Sequence, residues 1–383
     1  MQALKWRLAL LLAMLSTLHV FSQDPFFLES RQILSYVNPA LTGLNGSLTV
    51  RTIHKQQYLK AEGFNSTGLN IEQSFPCKNF DLGVYYIHDK EGINLFKTHM
   101  IGGSFVYTIP FDVKKFQQLH NVRIGGRLQW SQKSVDWEQL IFSDQLDAAY
   151  GTTDATGIMN PTSFVPPDWN STWQLTLGVG FIHRVEVGRQ YTWSLMYGAG
   201  FENYTNIPER NDYDSVLDLE QDKNYLVDKY SIYFSPEFPL TKTYGNYFGL
   251  KPSYVFQRHA NLTTQQIGFE ANYQKVFGVG VYFNSGDFKQ FAQDTKSLIY
   301  HLFFRVTPPR SPHQVNLGIQ YMHNTGGLSS AFSQTIQLSV RYNFYKDGCG
   351  GSRGRSGPCP SVSRRHRIMY ENIWFTPVQG INK

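Results

Sequence analysis

Past its first two dozen residues the chain has no apolar run approaching the roughly 18 to 20 residues of a membrane-spanning helix. No stretch sustains the 3.6-residue periodicity of an amphipathic helix either. A helical membrane protein and a helix bundle are thereby excluded. Cysteine is scarce: three in 383 residues make no disulfide framework. Cys349 and Cys359 either pair across a Gly-rich loop, leaving Cys77 over, or stay as thiols. Motifs that carry chemistry are missing too. There is no nucleophile elbow, phosphate loop or dinucleotide fingerprint, and the eleven histidines show neither i, i+4 pairing nor cysteine partners. Gly350 to Gly354 lacks the Lys-Ser/Thr that would follow in a phosphate cradle. His88 beside Asp89 has no accompanying nucleophile. The acidic run from Asn206 to Asp228 matches no calcium loop. The expectation is a protein that is not an enzyme and has no catalytic, cofactor or metal site.

A basic excess is also lacking where it would count. The formal charge is +6, but it is unevenly placed. Lys5 and Arg7 precede an uncharged run from Leu8 to Leu18 and the small or apolar Val20-Phe21-Ser22, the layout of a secretory signal peptide over 1–22 with cleavage near Ser22. Tyr345 to Lys383 holds seven basic against two acidic residues, leaving 26 against 27 for Gln23 to Phe344. The body is near neutral, so no nucleic acid is expected as a partner. A basic exported tail suits anionic lipid or an acidic protein.

What the chain has in quantity is alternation. Aromatics make up 15% of it, beside 32 glycines and a negative mean hydropathy, as follows when half of every strand is polar. Fourteen strand-like segments, bounded by Gly, Pro, Asn or Asp, run at about 47–54, 66–74, 80–88, 96–108, 120–133, 172–187, 190–204, 228–238, 246–257, 261–273, 275–284, 296–307, 313–323 and 332–344. The last is the clearest. Ile336, Leu338, Val340, Tyr342 and Phe344 share one face; Thr335, Gln337, Ser339, Arg341 and Asn343 share the other. Ten residues are about what a tilted strand needs to cross a bilayer. Bacterial outer-membrane barrels commonly finish on such a strand, which makes Tyr342 and Phe344 a candidate assembly signal.

Connection lengths supply an independent test, because membrane barrels have short periplasmic turns and longer external loops. The two longest, Ser134 to Ser171 and Thr205 to Val227, follow the fifth and seventh strands. The tightest, at Gly188-Arg189 and Gln274, follow even ones. The predicted fold is therefore all-β: an antiparallel transmembrane barrel of about 14 strands in the bacterial outer membrane. Residues 23–46 form an N-terminal periplasmic or plug segment, 47–344 the barrel closed by pairing of its first and last strands, and 345–383 a basic, periplasmic tail. A soluble secreted β-sandwich is the competing fold.

Short motifs recur in an order that points to one family. They are Asp24-Pro25 and then Asn38-Pro39-Ala40 with Gly43 before the first strand; Lys55-Gln56-Gln57-Tyr58 at its end; Asp89-Lys90-Glu91-Gly92 at a hairpin; and Asp136-Trp137, Leu140, Phe142, Asp144-Gln145 and Asp147 after the fifth strand. Together they resemble the PorP/SprF family of type IX secretion and gliding-motility membrane proteins of Bacteroidetes. The chain departs from that family's pattern after Pro25, at Lys55 and Tyr58, and throughout the tail from Tyr345. The resemblance implies a non-enzymatic barrel that helps export or anchor a cell-surface protein with a C-terminal sorting signal. Its partners would be a secreted surface protein or adhesin, other type IX secretion subunits, the lipid bilayer, and a periplasmic envelope partner for the tail. The residues themselves allow simpler roles: Asn38-Pro39-Ala40 turning the chain into the first strand, Gly92 taking a positive φ, and Trp137, Leu140 and Phe142 packing into the barrel mouth. They also allow a second function, a diffusion channel for a small solute. The N-terminal segment would then plug it, and Arg123, Arg127, Arg305 and Arg341 would line its path.

Overall fold

The computed structural model describes residues 34–59, 64–75, 78–92, 96–113, 118–137, 140–146, 151–153, 156–165, 171–187, 193–206, 227–240, 248–259, 262–273, 276–288, 293–306, 313–325 and 334–344. Asp24, Pro25, Asp147, the three cysteines and the tail lie outside them. Fourteen antiparallel strands form a closed barrel: β1 (Leu48–Gln57), β2 (Asn65–Phe75), β3 (Phe80–Glu91), β4 (Phe96–Val113), β5 (Gln118–Val135), β6 (Ser171–Val187), β7 (Trp193–Asn206), β8 (Val227–Pro239), β9 (Phe248–His259), β10 (Leu262–Tyr273), β11 (Phe277–Phe288), β12 (Gln293–Val306), β13 (His313–Asn324) and β14 (Gln334–Phe344). Each matches a segment expected from the alternation to within a few residues. Closure comes from β14 pairing with β1, in register from Leu48 opposite Phe344 to Gln57 opposite Thr335. No strand edge is left unpaired, which is the condition for a sheet to stand in hydrocarbon.

Alternation sorts the side chains by solvent. In β14, Thr335, Gln337, Ser339, Arg341 and Asn343 are buried in the lumen, while Leu338 and Val340 stand exposed on the outside. The same split runs round the wall: Val84, Ile101, Leu128, Val179, Ile267, Tyr300 and Ile319 face outward. A water-soluble protein exposing such a belt would aggregate; in a bilayer the belt is the solvated surface. The soluble sandwich is thereby set aside. Both ends of the barrel chain, Leu48 and Phe344, lie at one rim, and the long connections between β5 and β6 and between β7 and β8 lie at the other. The rim carrying long loops is taken as the outer one.

Candidate functional site: a luminal plug and an outer loop

The lumen is occupied by the chain's own N-terminal segment. A four-residue helix, α1 (Leu34–Val37), leads into a 3-10 turn at Pro39–Leu41 and so to β1. Asn38 starts that turn by accepting a hydrogen bond from the Ala40 amide at 2.9 Å, and Pro39 supplies the fixed φ of its first residue. Val37, Ala40, Leu41 and Leu44 cluster with Ile182, Met196, Tyr233 and Val255 of the wall. Asn38, Thr42, Ala40, Leu41 and Leu44 have no exposed surface at all. The motif Asn38-Pro39-Ala40 with Gly43 is thus a plug inside the barrel, more than a turn into the first strand.

Two arginines of β5 hold the plug by its backbone. Arg123 donates from Nε to the Ala40 carbonyl at 3.0 Å and from Nη2 to the Thr42 carbonyl and to Asp81 of β3, the last at 2.8 Å. Arg127, four residues on and hence on the same face, donates from Nη1 to the carbonyls of Ser35 at 2.8 Å and Tyr36 at 3.0 Å, and pairs with Glu202 of β7. Lys229 of β8 stands 3.8 Å from Glu202 and 4.2 Å from the centroid of the Tyr36 ring. Below these, the Gly43 amide donates to Glu72 at 3.1 Å, and Arg51 lies 3.6 Å from the same carboxylate. Asn70 donates to the Ser35 hydroxyl at 2.8 Å, and the hydroxyls of Thr42 and Ser104 share a hydrogen bond of the same length. Carbonyls that the plug cannot satisfy within itself thus meet charged donors, the strongest partners available in a dry interior.

The wall is cut to admit the plug. Gly125, Gly180 and Gly200 lie side by side in register across β5, β6 and β7, making a trough without side chains. A Cβ on Gly125 would lie 2.6 Å from the Ala40 nitrogen, and one on Gly180 would overlap the Asn38 side chain. On β3, a Cβ on Gly83 would come within 2.5 Å of the Thr42 methyl. Gly43, at φ 72°, occupies the left-handed region that favours glycine. Sequence reading missed this cradle, and with it Asp81, Glu72, Glu202 and Lys229. The available signal was glycine and charge recurring at inward positions of β3 to β8, which no single strand reveals.

Other anticipated residues fall where their motifs suggested. Lys55 is buried at the lumenal end of β1, Lys55 Nζ donates to Gln57 at 3.3 Å, and Tyr58 follows at φ 56°. Asp89 is buried and accepts from Ser66, Lys90 is the last residue but one of the same strand, and Gly92 takes φ 69° as expected. Arg305 is buried and donates from Nε to Asn316 at 3.0 Å. Among the described residues, no cluster of three or more His, Cys, Asp or Glu could hold a metal ion.

The loop after β5 folds on itself at the outer rim. Trp137 and Phe142 pack against Phe164, with centroids 5.7 and 4.3 Å apart; Leu140 is half-buried. Gln145 accepts from the Phe142 amide and donates to the Asn160 carbonyl, and Asn160 donates back to the Gln145 carbonyl, each at 2.9 Å. Asp144 accepts from the Ser163 amide at 2.6 Å and from the Ser163 and Thr162 hydroxyls. The Ser163 amide, with those hydroxyls, holds the Asp144 carboxyl below the usual carboxylate range. The polar residues Asp144 and Gln145 of the motif therefore build a loop scaffold.

A closed 14-stranded barrel with a lipid-facing belt and a buried, hydrogen-bonded plug defines a plugged outer-membrane β-barrel protein. Residues 20–342 match the family of type IX secretion system membrane proteins PorP/SprF, and the chain belongs to that family. Comparison with curated proteins finds no match. Solved structures similar to the chain include the outer membrane protein Omp33 of Acinetobacter baumannii, at 10% identity and TM-score 0.36, covering 78% of this chain and 98% of that one. The toluene transporter TodX of Pseudomonas putida shows 9% identity and TM-score 0.39, covering 85% and 99%. CdiB of A. baumannii shows 5% identity and TM-score 0.40, covering 78% and 60%. The barrel assignment stands on the strand register alone.

Proposed function

We propose that this outer-membrane member of the type IX secretion family is a non-enzymatic docking platform that helps export or anchor a cell-surface protein bearing a C-terminal sorting signal. The observation that carries the reading is the N-terminal segment seated inside the barrel. A barrel that holds its own N-terminal segment through Arg123 and Arg127 is suited to a rigid, closed role. Its working surface is then its rims. The outer loop, through its described residues 140–146 and 156–165, offers a folded contact area for the passenger or for other subunits of the secretion system. The tail at 345–383 serves partners in the periplasm. The plug weighs against the alternative of a diffusion channel for a small solute, because Arg123 and Arg127 spend their donors on plug carbonyls.

The test is purification of the tagged, full-length chain from its native membranes in mild detergent. Recovery of a surface protein with a C-terminal sorting signal, or of secretion subunits, supports the platform. Recovery of neither, together with stable conductance of the pure protein in planar bilayers, would replace it with the channel.

A further inference from the structure

The outer loop leaves apolar side chains in water although it is folded. Ile141, Leu146, Ile158, Met159 and Val165 are all more than half exposed, Val165 at 83%. They are not waiting for a better local fold. The polar side chains that shape the loop, Asp144, Gln145 and Asn160, are committed to hydrogen bonds within it, and its aromatic residues Trp137, Phe142 and Phe164 are already packed on one another. Apolar residues held out by a self-satisfied scaffold mark an interaction site.

Charge says what kind. The connection 136–170 contains six carboxylates and no Lys, Arg or His. The connection 207–226, which joins β7 to β8, adds six carboxylates against two basic residues. The opposite rim is the reverse. The connections after even strands, at 76–79, 114–117, 188–192, 240–247, 274–276 and 307–312, carry seven basic residues and no carboxylate. The asymmetry is invisible in a body whose charges balance, and emerges once the strand order sorts connections by rim. An acidic surround repels the phosphates of the outer leaflet and draws cationic protein surfaces.

We infer that Ile141, Leu146, Ile158, Met159 and Val165 form a docking surface for a polypeptide whose contact segment is apolar and bordered by Lys and Arg. This deepens the platform reading and rests on it for the partner's being a passenger or secretion subunit. The experiment places a photoreactive amino acid at Ile158 or Val165 of the full-length chain in its native membrane, with lipid-facing Ile267 as the control position. The expected result is a protein adduct at 158 and 165 and none at 267, whose cross-linked segment, sequenced by mass spectrometry, is apolar with an excess of Lys and Arg. Ile141→Ser with Leu146→Ser should lower its yield about tenfold or more, the effect of losing interface anchors. Raising salt from about 0.1 to 1 M, which shortens the Debye length from roughly 10 to 3 Å, should lower it further. Adducts with lipid alone, no adduct, or a neutral or acidic segment would overturn the inference. If tagged wild-type chain still recovers a passenger in that case, the platform survives without this surface. A cationic adduct from a protein outside the secretion system supports the surface and removes the platform.

Discussion

Arg123→Ala is the most informative single substitution. The guanidinium is 1% exposed and donates to two plug carbonyls and to Asp81, itself 1% exposed. Removing one partner of a buried pair costs about 3–5 kcal/mol, because the Asp81 carboxylate keeps the Ser74 hydroxyl but loses its facing cation. The share that falls on seating the plug comes from the Ala40 and Thr42 carbonyls. At the low end of about 1 kcal/mol for each unsatisfied buried acceptor, two of them raise the unseated fraction roughly 30-fold. The assay is single-channel recording of refolded, full-length protein in planar bilayers, with heat-modifiable migration on gels to show that the barrel still forms. Wild type should stay closed, and Arg123→Ala should show bursts of conductance while remaining heat-modifiable. Adding Asp81→Asn should recover thermal stability, since no uncompensated carboxylate remains, without restoring the closed state. A silent Arg123→Ala barrel with an unchanged melting midpoint would refute the claim that this network holds the plug.

Adjacent glycines give a matched control: Gly125→Ala drives a Cβ to 2.6 Å from the plug backbone, whereas Gly126→Ala meets nothing within 4 Å. The first should cost about 1–3 kcal/mol in the denaturant midpoint and the second close to nothing; equal effects would show that the trough does not bear on the plug. On the lipid face, Leu338→Arg, 49% exposed near the middle of β14, should cost about 2–4 kcal/mol in refolding into vesicles. Removing the chain after Phe344 should leave heat-modifiable folding intact, because β14 already closes on β1; loss of the fast-migrating form would contradict this. The Asp144 carboxyl sits below the usual carboxylate range, so its hold on Thr162 and Ser163 is fully present above the unfolded-state value near pH 4. It is lost as pH falls through the lower folded value. Proteolysis within 136–165 should accelerate as pH falls below about 4, and Asp144→Asn should abolish that dependence.

How much was legible follows from the range over which each interaction acts. Period-two alternation is local, so all fourteen strands and their two faces could be read from residues such as Ile336 to Phe344. Parity of connection lengths sorted the long connections to one rim, and turn chemistry foretold Gly92. The short motifs placed the chain in its family before any strand was paired. The plug could not be read in the same way. Asn38-Pro39-Ala40 carries only a turn signal locally. Its role depends on Gly125, Gly180, Arg123 and Arg127, more than eighty residues away, being brought together by the register of β5 and β6. The outer loop shows the same limit: Trp137, Leu140 and Phe142 announce burial, but only the fold shows Trp137 and Phe142 packing on Phe164. Sequence by itself pointed to a lipid-facing barrel, because alternation over fourteen segments together with the parity of connection lengths encodes two solvents and two rims. Tertiary structure decided that residues 34–46 sit inside the barrel, because that requires ion pairs and backbone contacts between segments whose meeting no local pattern records.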